Sequence, residues 1–347
     1  MPTFAQFFPK LLFPVLLAWG IQLTHAQGVT IGGTPADGEA TGIMAMFSGN
    51  VFENFRNMDR FVPTSTMSPS ADPWDLGKSS DTLTFTGSFL GEPTSLDAFI
   101  ERSNTSAFLV IKDGQIIFER YAHGDSPTSL HTSFSVAKSF ISALVGIAMA
   151  EGRIDSLDDP IRKYLPELTS QAFDGVTVKH VLQMSSGVKF DETYTDPDSD
   201  INKMTALVQE MSYLEYINTL EREHAPGTFN HYASINTQLL GILLVRVAEQ
   251  PLTPYMQTRL WHPLGMEREG KWTLDEQGYE LAMGGLAASA RDYAKLGLLY
   301  LHGGRRGDRQ ILPPGWAKES VTPDQPHLMP GENPASSSVS GYQYQWW

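Results

Sequence analysis

The sequence predicts an α+β fold: an antiparallel sheet flanked by helices, with a mainly helical lobe inserted in the sheet domain. Three observations carry this expectation. A strong hairpin signal spans 107–121, an almost wholly apolar helical run follows at 139–150, and 154–312 reads mainly as helix. A hairpin, then helices, then a return to strand pattern is the chain order of an α+β domain.

The elements follow in order. Residues 1–26 read as a secretory signal, since Lys10 precedes the apolar stretch 11–23, which ends at Thr24-His25-Ala26 before Gln27. That stretch is short for a membrane span and is interrupted by Pro14. Residues 27–93, rich in Gly, Pro, Ser and Thr, read as an extended N-terminal leader, and 94–347 as the main domain. Within it, 107–112 and 115–121 flank Asp113-Gly114, a pair suited to the φ > 0 turn that joins antiparallel strands. Helical apolar spacing recurs at 204–211, 213–220, 235–248 and 290–301. The alternating aromatic and polar residues of 341–347 predict a strand.

Composition narrows the function. The 347 residues carry a formal charge of −14, which argues against binding nucleic acid or an anionic membrane. The absence of cysteine excludes disulfides, thiolate metal sites and a cysteine nucleophile. The implied location is periplasmic or secreted, with no membrane attachment after signal cleavage.

Chemistry concentrates at Ser135-Val136-Ala137-Lys138. Residues three apart share a helical face, so the Ser135 hydroxyl and the Lys138 amine can meet. The head of a helix favours developing negative charge, and burial disfavours the ammonium, so Lys138 can serve as a free amine that takes the serine proton. The alternative is a structural helix with Ser135 as its cap. Ser186-Gly187-Val188-Lys189 repeats the spacing, but Gly187 interrupts it and no helical pattern follows. A lysine-activated serine needs a second proton carrier, and Tyr232, after the turn signal Pro226-Gly227, is the candidate. Its alternative is a packed tyrosine, and Ser234 is either a site residue or the cap of the next helix.

Other chemistries lack support. No His-Glu-x-x-His, Gly-x-Ser-x-Gly or phosphate-binding glycine loop occurs. Asp196, Asp198 and Asp200 alternate like a calcium loop, but Ile201 and Leu207 occupy the glycine and closing-glutamate positions. With Asp191 and Glu192 they read as a solvated acidic loop near a substrate mouth. His231 is adjacent to Tyr232 by chance on this reading.

The ordered series 133–139 (SFSVAKS), 152–160 (GRIDSLDDP), 180–187 (HVLQMSSG), 232–234 (YAS), 263–266 (PLGM) and 284–292 (GGLAASARD) resembles the serine β-lactamase and penicillin-recognising superfamily. The similarity is to its class C-like branch of esterases and 6-aminohexanoate-dimer hydrolases, over about 107–347. The resemblance implies a β-lactamase-like fold and Ser135 as the acylated nucleophile. It further implies Lys138 as base, Tyr232 as the tyrosine of Tyr-x-Asn, and Ser234 in the asparagine's substrate-binding place. The serine leans the expectation toward ester or short-amide substrates, handled without metal or organic cofactor. The Ser135 N–H would be half of the oxyanion hole. The family's Lys-Thr-Gly element is not in the chain, so the resemblance implies missing C-terminal sheet strands and an incomplete domain. One lost oxyanion donor typically costs roughly 10²–10³ in rate, so slow or absent turnover is expected of such a chain. The alternative function is a non-catalytic or penicillin-binding sensor on the same fold, marked by slow β-lactam acylation without ester turnover.

Overall fold

The strands that position the site are β1 (Thr30–Gly32), β2 (Thr64–Met67), β3 (Ala107–Lys112), β4 (Gln115–Tyr121), β5 (Leu130–Thr132), β6 (Gly270–Thr273) and β7 (Leu286–Ser289). The computed structural model describes residues 30–32, 42–81, 83, 85, 87–89, 91–207, 211–275 and 277–347. The signal read over 1–26 lies outside the described residues. Among the described residues no helix is long and apolar enough to cross a membrane.

Five strands form one antiparallel sheet in the order β1-β2-β6-β7-β5. Residues 27–93, read as a leader, therefore supply an interior strand: β2 pairs Thr64 with Thr273 and Met67 with Gly270. Its Thr-Ser-Thr-Met sequence is polar yet buried at Thr64, Ser65 and Met67, so no hydrophobic alternation marks it. Strands β3 and β4 form a separate hairpin. Asp113 and Gly114 both take positive φ, 51° and 77°, as a type I′ turn requires.

The main helices are α1 (Val51–Arg56), α2 (Ala137–Ala150), α3 (Val178–Leu182), α4 (Ser234–Ala248), α5 (Leu252–Met256), α6 (Ala290–Leu301) and α7 (Trp316–Ser320). Apolar residues all around α2 predict a core helix, and Phe140, Ile141, Leu144 and Val145 are fully buried. Burial of each such side chain contributes about 1.5–3 kcal/mol. Gly146 lets α2 approach α7, because a Cβ there would lie 2.6 Å from the Trp316 ring. A rigid indole cannot yield cheaply, so Gly146→Ala is expected to destabilise the fold. Overpacking of about 1–3 kcal/mol outweighs the roughly 1 kcal/mol of helix propensity that alanine returns. A urea midpoint equal to or above wild type would refute this.

The segment 341–347 is not a strand, contrary to the alternating pattern. Gln345 takes φ 61° and its N–H donates to Leu182 O, which turns the chain inward. Tyr342, Gln343, Tyr344 and Gln345 are all buried, so the alternation does not separate two faces. The Gln345 side chain explains how polar residues tolerate this. Its Nε2 donates to Leu182 O at 2.8 Å, and its Oε1 accepts from Thr237 Oγ1 at 2.5 Å. Its carbonyl also accepts from Ser139 Oγ at 2.9 Å, so the tail is pinned to α2, α3 and α4 together.

Candidate active site

Ser135 lies in one 3₁₀ turn, Phe134–Val136, that leads into α2. Phe134 takes φ 43°, a conformation that costs a bulky residue on the order of 1–3 kcal/mol. The rings of Phe47 and Phe55, at 5.8 and 5.3 Å, hold it there. The result is an abrupt entry: Ser135 is exposed, while Lys138, one helical turn on, is only 2% exposed.

The predicted pair is in contact. Lys138 Nζ donates to Ser135 Oγ at 3.1 Å and to the Met283 carbonyl at 2.7 Å. Burial lowers the Lys138 pKa to about 8, against an opposing pull from the Glu192 carboxylate. Tyr232 stands at the entrance to α4, with its ring centroid 5.3 Å from Lys138 Nζ. Burial pushes its phenol up to about 12, while a hydrogen bond with Ser135 acts in the other direction. Trp347 stacks on Tyr232 at 5.3 Å, and Tyr342 meets it edge-on at 6.3 Å. The tail pinned by Gln345 thus forms an aromatic wall against Tyr232, and Trp347 is 60% exposed there.

Ser234 is the first residue of α4, and the cap position belongs to Ala233. Its N–H donates to Glu192 Oε2 at 2.9 Å, and its hydroxyl donates to Glu192 Oε1. The Tyr194 hydroxyl donates to the same carboxylate at 2.7 Å. Glu192 therefore departs from the reading of a solvated acidic loop: it is half-buried, held by three donors, and close enough to act on Lys138 and Tyr232. Of the neighbouring aspartates, Asp196 makes an exposed turn by accepting from Asp198 N, while Asp200 accepts from Asp191 N nine residues earlier. Among the described residues no group of three or more His, Cys, Asp or Glu is placed to hold a metal ion.

The second Ser-x-x-Lys spacing is not assembled. Ser186 is buried and Lys189 exposed, with Gly187 at φ 80° between them. A Cβ on Gly187 would lie 2.1 Å from the His224 carbonyl, so a close backbone crossing occupies this position. His231 turns away from Tyr232, and its Nε2–H donates to Phe190 O at 2.7 Å.

Sequence reasoning missed three contributors: Glu192, the Met283 carbonyl and Trp347. Glu192 carried a weak signal in its acidic neighbourhood. A backbone carbonyl leaves no compositional trace, and the alternation of 341–347 points Trp347 to a strand.

The β-lactamase family model matches residues 96–347. The chain is similar to a 6-aminohexanoate-dimer hydrolase of Paenarthrobacter ureafaciens, with 31% identity over 261 residues, 73% of this chain and 66% of the relative. It is also similar to a β-lactamase of Escherichia coli K12, with 30% identity over 165 residues, 46% of this chain and 41% of the relative. The chain thus spans about two thirds or less of the length of these curated relatives. A solved structure from Bacillus anthracis, described as a candidate 6-aminohexanoate-dimer hydrolase, superposes with a TM-score of 0.79 at 24% identity. That match covers 90% of this chain and 84% of the other, and it supports the β-lactamase-like fold. By the extent of the family match, together with this fold, the chain belongs to the β-lactamase family.

Proposed function

We propose that this protein is an exported serine hydrolase that cleaves an ester or short linear amide through an acyl-Ser135 intermediate. The observation that carries the reading is the 3.1 Å contact between the hydroxyl of an exposed serine and a buried lysine amine. Lys138 takes the serine proton as Oγ attacks the carbonyl. The Ser135 N–H, in the first helical turn where backbone donors lack intrahelical acceptors, stabilises the oxyanion. Tyr232 gives its proton to the leaving group and is reprotonated by the Lys138 ammonium. Water then attacks the acyl carbonyl, Lys138 takes its proton, and that proton returns to Ser135 Oγ as the acyl group leaves.

Magnitudes divide the labour. With pKa values of about 8 and about 12, roughly one Lys138 in ten is a free amine at pH 7, against about one Tyr232 phenolate in 10⁵. Lys138 is therefore the base and Tyr232 the proton donor. Ser234 acts by holding Glu192. The 31%-identical relative is named a 6-aminohexanoate-dimer hydrolase, and two amino acids join head to tail through an amide, which supports a linear amide among the substrates.

A fluorophosphonate probe tests the reading. It should add one adduct per chain, located on the Ser135 peptide, and a nitrophenyl ester should turn over faster than a chromogenic cephalosporin. An adduct on another residue would sink the assignment. Glu192→Gln provides a finer check. Glu192 raises the Lys138 pKa, so its loss should move the rising limb of the pH–rate profile below pH 8. An unmoved limb would show that Glu192 does not act on the base.

A further inference from the structure

The carbonyl that receives Lys138 belongs to a tight loop, and the loop has an unusual anchor. Glu280 is 5% exposed, and the groups acting on its carboxylate are uncharged ones of Thr253, Leu252 and its own backbone. A buried carboxylate is expensive to keep charged, so its presence calls for a reason. Thr253 N–H donates to Glu280 Oε1 at 2.8 Å from the first turn of α5. Gln238 Nε2 donates to the Glu280 carbonyl at 3.0 Å from α4, the helix that begins just after Tyr232. Three residues on is Met283, whose carbonyl receives Lys138 Nζ.

Between these points the chain has little freedom. Leu281 N donates to Thr273 O at 2.9 Å, Ala282 N to Glu280 O at 2.9 Å and Gly285 N to Leu281 O at 2.8 Å. Trp272 Nε1 also donates to Leu281 O at 3.0 Å. A displacement at Glu280 therefore reaches the Met283 peptide.

We infer that Glu280 is a positioning residue: its carboxylate anchors the loop whose Met283 carbonyl aims the Lys138 amine at Ser135. The inference rests on the reading of Lys138 as base. A free amine has two N–H groups and one lone pair. One N–H bonded to Met283 O, with the nitrogen 3.1 Å from Ser135 Oγ, directs that lone pair toward the serine proton. A shifted carbonyl lets the amine rotate, which weakens proton abstraction while leaving the substrate-facing surface in place.

The test compares Glu280→Gln, whose amide oxygen still accepts from Thr253 N–H, with Glu280→Ala, which removes the acceptor. Glu280→Ala is expected to lower kcat on the order of 10–100-fold, with KM within about twofold. Its rising pH limb should move above pH 8 as a loosened loop hydrates the lysine. Glu280→Gln should restore most of kcat and the original limb. If Glu280→Ala does not fold, Glu280→Asp, with its carboxylate one methylene further from Thr253, should show the same loss in kcat. A folded Ala or Asp variant with wild-type kcat and pH limb overturns the inference, as does a Gln variant as impaired as the Ala variant. Fluorophosphonate labelling of wild type separates the two levels. An unlabelled Ser135 removes the serine-hydrolase reading and this inference together, whereas a labelled wild type with an unaffected Glu280→Ala variant removes this inference alone.

Discussion

Ser135→Ala is expected to lower kcat/KM by roughly 10⁴-fold or more and to abolish fluorophosphonate labelling. The effect is large because Ser135 is the exposed hydroxyl of the cluster, while Ser234 is buried and its hydroxyl is bonded to Glu192. Lys138 is buried, and Tyr232 is held in its neutral form by burial. The substitution should leave the fold intact. Ser135 is exposed and its hydroxyl is not a helix cap, so the thermal midpoint should match wild type. Loss of activity with an unchanged midpoint separates chemistry from stability, and a labelled Ser135→Ala variant would refute the nucleophile assignment.

Lys138→Met should reduce kcat by about 10²–10⁴-fold, the usual contribution of a positioned base. Lys138→Arg should be as slow as Lys138→Met, because a guanidinium does not give up its proton to become a base. In wild type the rate should rise with pH through about 8, as the ammonium loses its proton. That limb should vanish in both variants.

Stability should respond in the opposite sense. The lysine pKa falls from 10.5 to about 8 on folding, so the folded state resists protonation that the unfolded state accepts. The penalty is full below pH 8 and disappears as pH rises past 10.5. Lys138→Met should therefore stabilise the protein at pH 7 by about 1–3 kcal/mol and have no such effect above pH 10.5. A methionine variant that is both active and no more stable would contradict the reading of Lys138 as a buried base. Such a trade of stability for activity is common at active sites.

Much of the fold was legible where one local rule dominates. Asp113-Gly114 fixed the hairpin because few residue pairs accept two successive positive φ values. The run 139–150 fixed a core helix because apolar residues on every side leave no face for water. Strand β2 escaped notice because its buried threonine and serine look like a loop. The tail 341–347 misled for the opposite reason. Its alternation imitates a strand, but Gln345 satisfies its polar groups on three helices and allows every second residue to turn inward as well.

The sequence by itself determined the contact on which the proposed chemistry rests. A spacing of three at the head of an apolar helix places Ser135 against Lys138 through local geometry alone, and the duplicate at Ser186 fails on the local grounds of Gly187. Only the tertiary structure decided what surrounds that pair. Glu192 reaches the site from 42 residues before Ser234, and the Met283 carbonyl reaches Lys138 across 145 residues. Trp347 arrives from the end of the chain. These contacts surround Lys138 and Tyr232, and they depend on how distant segments pack, which no local spacing encodes.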